Sequence, residues 1–256
     1  MTESIELSSP ADVLDALEHP DLVPPPPAAA LGTGAVALLR SRMARFSSGS
    51  SHTCRRRSVE SAIDRIDLAR LAGHAVEETR AALAEGVVDP DGLAGRVPTR
   101  ALARSLAVDH RHLAATAAAV DSIAAAIGRG MPVDGETDGR CRWLLDLLDD
   151  HPDGGVAALS LLYQNRDATA ALLRSVLAAE PGGRSEPAIA GTVRVATGPV
   201  SIGSVHLDAG DPVRLRFTTP DQEFGAGPHR CPGAAMASCI VQAIRSVLDD
   251  QGIDDQ

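Results

Sequence analysis

The stretch "FGAGPHRCPG", Phe224–Gly233, governs the reading of the whole chain. A single cysteine follows two glycines, a histidine and an arginine, and leads at once into Pro-Gly and an alanine-rich run. A thiolate that ligates a metal needs a low thiol pKa, donors aimed at sulfur, and backbone able to approach a flat cofactor. Helix N-terminal amides and nearby cations favour the thiolate, and Pro232 stands at a favoured first-turn position of the helix expected after Cys231. Gly227 and Gly233 remove side chains where a macrocycle would lie against backbone. Phe224 can pack over the sulfur, and His229 and Arg230 can donate to carboxylates. Burial is the common fate of a free cysteine, but a merely structural Cys231 leaves these neighbours unexplained.

Composition narrows the setting. The chain has 256 residues and a net charge of -10, enough length for a buried core without disulfides and the wrong sign for a nucleic-acid backbone. Cys54, Cys141, Cys231 and Cys239 have no CxxC spacing and read as independent thiols of a reducing compartment. No leader pattern and no long apolar run is present, so a cytoplasmic protein without a membrane span is expected.

The pattern upstream is mainly α. Residues 10–18 read as a helix, and "DLVPPPPAAA", Asp21–Ala30, reads as an extended linker because four prolines cannot continue one. Residues 1–30 are therefore expected to be an N-terminal extension and linker, and residues 31–256 a single domain. Apolar residues at helical spacing run from Gly34 to Phe46 and from near His52 to about Ala178, with "PVDGETDG" (Pro132–Gly139) as a loop. The longest helix is expected over Gly154–Glu180, its apolar middle interrupted by Gln164, Asn165, Arg166 and Asp167. After Gly182 the period changes to alternation around Gly and Pro turns, which predicts three short strands. A last helix follows Cys231, with Met236, Ile240, Ile244 and Leu248 on one face.

The cysteine stretch resembles the haem-binding loop of the cytochrome P450 family: Phe, two residues, Gly, three residues, Cys, one residue, Gly. Phe224, Gly227, Cys231 and Gly233 meet each fixed position, and His229 stands where the family often has a propionate-binding basic residue. "HTCRRRSV" (His52–Val59) is similar to the family's third helix, which implies that His52 and Arg56 reach a haem propionate, and their spacing of four places both on one face. "TVRVATGPVSIGSVHLDAGDPV" (Thr192–Val213) resembles the strands before the loop and implies a propionate partner at Arg194. "LLYQNRDATAALL" resembles the distal helix, where an acid followed by threonine manages protons; Asp167 and Thr169 are the residues implied, with Ala168 between them.

The resemblance implies a shortened cytochrome P450-like fold, a helical body with a small β-sheet before the cysteine loop, holding haem b on Cys231. Two departures are visible. The span between Asp109 and the long helix leaves little room for the pair of lid helices, and only 24 residues separate Thr169 from Arg194, without the expected Glu-x-x-Arg. The sole such motif, Glu77 with Arg80, precedes the distal helix. Loss of that brace is compensated, on this reading, by a second copy of the chain.

The leading functional expectation is a haem-thiolate monooxygenase or peroxygenase of secondary metabolism, acting on a small or carrier-tethered substrate. A ferredoxin or peroxide would be the oxidant source, and Arg214, Arg216 and Arg230 a basic face for an acidic redox partner. Two alternatives stay open: a haem-thiolate enzyme of redox-neutral or heteroatom-bond-forming chemistry, and a haem-free accessory protein.

Overall fold

The computed structural model describes residues 5–25, 33–128, 131–179, 183–184 and 186–252. In chain order the elements are β1 (Ile5–Leu7), α1 (Pro10–Glu18), β2 (Leu22–Val23), α2 (Ala35–Arg42), α3 (Gly49–Asp64), α4 (Leu68–Ala84), α5 (Pro90–Ser105), α6 (Leu113–Gly128), α7 (Gly135–Leu147), α8 (Gly155–Leu177), β3 (Gly191–Ala196), β4 (Val200–Ile202), β5 (Val205–Leu207), β6 (Pro212–Arg216) and α9 (Ala234–Gln251). The fold is mainly α with a small sheet ahead of the cysteine loop, as the sequence predicts.

Helix starts follow capping chemistry. Asp67, Asp89 and Asp134 each accept a backbone N–H of the turn they precede, satisfying amides that a helix leaves free. Asp134 is why "PVDGETDG" is not a loop throughout: its carboxylate takes the Thr137 N–H at 2.7 Å and starts α7 at Gly135. Together α6 and α7 place two helices in the span expected to have little room for such a pair.

Helices α4, α5, α8 and α9 pack on one another, with α8 running through the middle. Leu159, Leu162 and Leu173 of α8 are fully buried. Gly155 opens that helix against α7; a Cβ there would stand 2.9 Å from the Leu145 carbonyl oxygen.

A second, smaller core lies under the sheet, whose strand order is β1-β6-β3-β2, with β4 and β5 forming a separate hairpin. Among the described residues there are four strands after residue 182 where three were expected. β1 pairs in parallel with β6, β2 pairs antiparallel with β3, and Val13, Ala16 and Leu17 of α1 are buried against the sheet. Residues 5–25 are thus part of the folded body and not an extension, since β1 and β2 supply both outer strands. The proline run from Pro26 lies outside the described residues.

Strand β3 breaks the rule of its own sheet. In β6 the apolar Val213 and Leu215 turn inward and Arg214 and Arg216 outward, the expected alternation. In β3 Val193 is turned outward while Arg194 is only 6 % exposed. A buried arginine in place of a core residue costs stability unless its charge is met.

Candidate active site

Cys231 lies at the end of the loop that joins the sheet to α9. Its backbone N–H donates to the Phe224 carbonyl at 2.8 Å, closing the loop into a compact turn. Gly227 sits at φ +64°, and a Cβ there would come within 2.8 Å of the Leu17 carbonyl oxygen. That glycine therefore serves a close approach to α1, and not contact with a macrocycle as expected. Gly233 is the one beside the sulfur: its Cβ position is 4.0 Å from Cys231 Sγ. The helix begins at Ala234 and not Pro232, with Pro232 and Gly233 forming the turn before it.

The sulfur lines a hollow of about 100 Å³ between the loop and α8, smaller than the ~300–1,000 Å³ usual for ligand sites. From α8 come Leu161, Gln164, Asn165, Ala168, Thr169 and Leu172. This is a stripe at helical spacing, and it faces Cys231, Pro232 and Gly233 across the hollow. Protein packed around the thiol raises its pKa, while the Gly233 amide and then Arg56, Arg45 and Arg230 act in the opposite direction. Donor and cations are thus set for the anionic sulfur, and a metal ion would displace the proton.

Thr169 is buried in the stripe, and its hydroxyl donates to Asn165 Oδ1 at 2.7 Å. The Asn165 Nδ2 is buried without a hydrogen-bond partner. Asp167 is elsewhere: two residues on either side of it turn the helix through about 200°, which carries its carboxylate away from the hollow. There it pairs with Arg166, which also holds Asp121 at 2.6 Å, and its side chain is 50 % exposed. The expectation that Asp167 and Thr169 share one distal site is corrected: Asn165 is the partner of Thr169. The signal for it was available, because Leu161, Asn165, Ala168 and Leu172 share one helical stripe and Asp167 does not.

Beside the cysteine loop, outside the lining of that hollow, five basic residues converge. His52 is buried on α3, and its ring centroid is 4.1 Å from that of His229. The pKa of His229 is pushed down to about 4, first by burial and then by His52, Arg194 and Arg56. Arg194 is lowered to about 10 by burial and by Arg45, and its Nε is buried with no partner. Its Nη1 is held by Thr192 Oγ1 and the Val193 carbonyl, both at 3.0 Å. No carboxylate pairs with His52, His229, Arg194 or Arg45 among the described residues. Arg45 was not singled out in the sequence, since a lone exposed arginine carries no signal until the fold brings it beside Arg194.

Arg56 has a different task. It donates from Nη1 to the Arg230 carbonyl at 2.7 Å and pairs through Nε with Glu60 at 2.6 Å, so it ties α3 to the cysteine loop. The donor set suits a flat, dianionic, metal-centred group: a thiol in the loop, a mixed apolar stripe facing it, and unneutralised cations beside the loop; at about 100 Å³ the hollow must widen to admit one. No cluster of His, Cys, Asp and Glu able to hold a bare metal ion occurs among the described residues. No helix there is long and apolar enough to cross a membrane.

Neither a protein-family profile nor a curated protein sequence matches this chain. Solved structures do. The chain is similar to cytochrome P450 260B1 of Sorangium cellulosum So Ce56 (TM-score 0.68, 15 % identity, 95 % of this chain and 81 % of that one). It is similar to P450BioI in complex with hexadec-9Z-enoic acid ligated acyl carrier protein (0.71, 16 %, 94 % and 83 %). It is also similar to Mycobacterium smegmatis CYP164A2 in the ligand-free state (0.65, 18 %, 96 % and 84 %). The chain has the cytochrome P450 fold.

Proposed function

Starting from that fold, we propose that the chain is a haem-thiolate oxidoreductase of cytochrome P450 type. The observation that carries the reading is Arg194, an inward arginine with an unpartnered buried Nε, grouped with His229, His52 and Arg45 beside the cysteine loop. An uncompensated buried cation is costly, and an anion bound beside it would offset that cost.

Cys231 would supply the thiolate ligand, and His52, His229, Arg194 and Arg45 would hold the two propionates. A thiolate-ligated haem supplies, when bound, an iron that activates oxygen or peroxide for oxidation of unreactive bonds. The chain's own contribution is positional. Leu161, Ala168 and Leu172 exclude water and seat apolar substrate, while Thr169 commits its proton to Asn165 Oδ1 and leaves the Asn165 N–H pair free to donate into the hollow.

A redox-neutral or peroxide-using reaction is the second reading, and the placement of Asp167 favours it. The only carboxylate lining the hollow among the described residues is Glu223, and it is fully engaged by Arg184. Proton delivery by an acid on α8, which an oxygenase drawing electrons from a ferredoxin would use, has no candidate in that stripe.

The partner would be acidic. From Gly34 to Val59 the sequence has six arginines and no acid, and Arg42, Arg55 and Arg57 form no ion pair among the described residues. Of the arginines first considered, Arg230 joins this side through Arg56, whereas Arg216 lies 4.0 Å from Glu6 on the sheet. An acidic electron donor or an acidic carrier protein with a tethered acyl substrate suits this surface; a solved structure of similar fold is one with acylated carrier protein bound.

Titration of the purified chain with haem tests the proposal. One haem per chain is expected, with binding weakened about tenfold or more in Cys231→Ala, a loss of ~1.4 kcal/mol or more. Uptake that never saturates contradicts it.

A further inference from the structure

The cysteine loop has a second anchor that no sequence motif announces. Glu223 immediately precedes Phe224, and its side chain is only 3 % exposed. Both carboxylate oxygens are used: Arg184 Nη2 donates to Oε1 at 2.6 Å, Arg184 Nη1 to Oε2 at 2.8 Å, and the Ala188 N–H also to Oε2 at 2.8 Å. Arg184 in turn reaches Ser175 Oγ on α8 at 3.3 Å. Three pieces of chain therefore meet at one carboxylate: the end of α8, the segment leading to β3, and the cysteine loop.

The next residue along transmits this anchor. The Phe224 carbonyl accepts the Cys231 N–H, and Phe224, Glu223, Ala188 and Ile189 all line the hollow with Cys231. A planar bidentate pair fixes orientation as well as distance, so the place of the Glu223 backbone, and through Phe224 that of Cys231, is set from 39 residues away. Among the described residues the other pairs with a buried or bidentate carboxylate do not line the hollow: Arg96 with Glu85 is exposed between α4 and α5, Glu78 is shared by Arg100 and Arg104, and Asp153 pairs with Arg65.

We propose that Arg184 and Glu223 are positioning residues that brace the cysteine loop against α8 and the sheet, standing in for the Glu-x-x-Arg brace absent from this chain. The inference builds on the reading of Cys231 as the haem ligand, but the brace itself is a property of the polypeptide and is tested without haem.

The experiment is amide hydrogen exchange on the purified haem-free chain, resolved to the Cys231 and Ala188 amides, in Glu223→Gln and in the milder Arg184→Lys. Removing the carboxylate charge leaves the part-buried Arg184 without its ion pair, and lysine keeps the charge but loses the fork. We expect the Cys231 amide to exchange about tenfold faster or more in Glu223→Gln and less markedly in Arg184→Lys, with the amides of α4 and of the β4–β5 hairpin unchanged. Haem affinity, measured by titration, should fall in the same order. Faster exchange at Ala188 alone, with Cys231 as protected as in the parent, overturns the brace, because the pair would then order only its own segment. Exchange raised throughout the chain in both variants overturns it too, since the pair would be holding the fold and not the loop. If exchange behaves as expected while no variant, nor the parent, binds haem, the brace stands and the haem reading falls.

Discussion

The imidazoles of His52 and His229 stand 4.1 Å apart, centroid to centroid, and tilted by 44°. This contact joins α3 to the cysteine loop across 177 positions of sequence, and it brings together two groups that repel when charged.

Its pH consequence has a definite sign. The pKa of His229 is about 4 in the folded chain against ~6.5 when unfolded, and that of His52 is also lowered. Between those values the unfolded chain binds more protons, so stability falls as pH drops from about 6.5 to about 4 and changes little further below from this source. Partial exposure screens the effect to ~1 kcal/mol. Denaturant unfolding of the haem-free protein at pH 7 and pH 4.5 should show the loss, and His229→Gln should reduce it. Bound haem, by supplying anions, should flatten the slope as well.

Arg194→Leu should separate stability from cofactor binding. The substitution restores the alternation of β3 and removes a buried, uncompensated cation, so the haem-free chain should gain about 1–2 kcal/mol. Haem affinity should fall about tenfold with the loss of a charge-assisted bond. Thermal unfolding and haem titration on the same variant check both arms; a variant destabilised without haem would show that the arginine is already satisfied by Thr192 and Val193.

On α8, Asp167→Asn should alter peroxide-driven oxidation of a chromogenic donor by less than about threefold, since its ion pair with Arg166 is half exposed and worth ~1 kcal/mol at most. Thr169→Val should cost more, because it leaves Asn165 Oδ1 buried without its donor. The reverse order would restore Asp167 to the reacting centre.

Gly227→Ala should destabilise the chain by ~1–3 kcal/mol, because its φ of +64° and the Leu17 carbonyl both oppose a Cβ. Gly233→Ala crowds only the end of Met236, at 3.2 Å, and touches Cys231 Sγ at 4.0 Å, so it should be mild in stability yet shift the absorption of bound haem. Calorimetry and the visible spectrum distinguish the two glycines.

The helix over residues 49–64, the strands ahead of the cysteine loop and the helix after it were legible because each rests on short-range spacing; the roles of His52, Arg56 and Arg194 followed from the family resemblance, and the inward turn of Arg194, against the alternation of its sheet, shows only in the fold. Asp167 was misplaced because adjacency along a helix is not adjacency in space; a shift of two residues reverses the face. Arg184 and Glu223 were invisible for the opposite reason. Each is an ordinary charged residue in a polar stretch, and only the return of the chain past α8 makes them a pair. The proline run misled in the same way, since the strands before it owe their place to β3 and β6, far along the sequence.

The most direct test of the account is the absorption spectrum of the haem-reconstituted protein, reduced and exposed to carbon monoxide. A strongly red-shifted Soret band that disappears in Cys231→Ala and moves in Cys231→His is the result predicted. A chain that retains no haem, or whose spectrum is indifferent to Cys231, would contradict it.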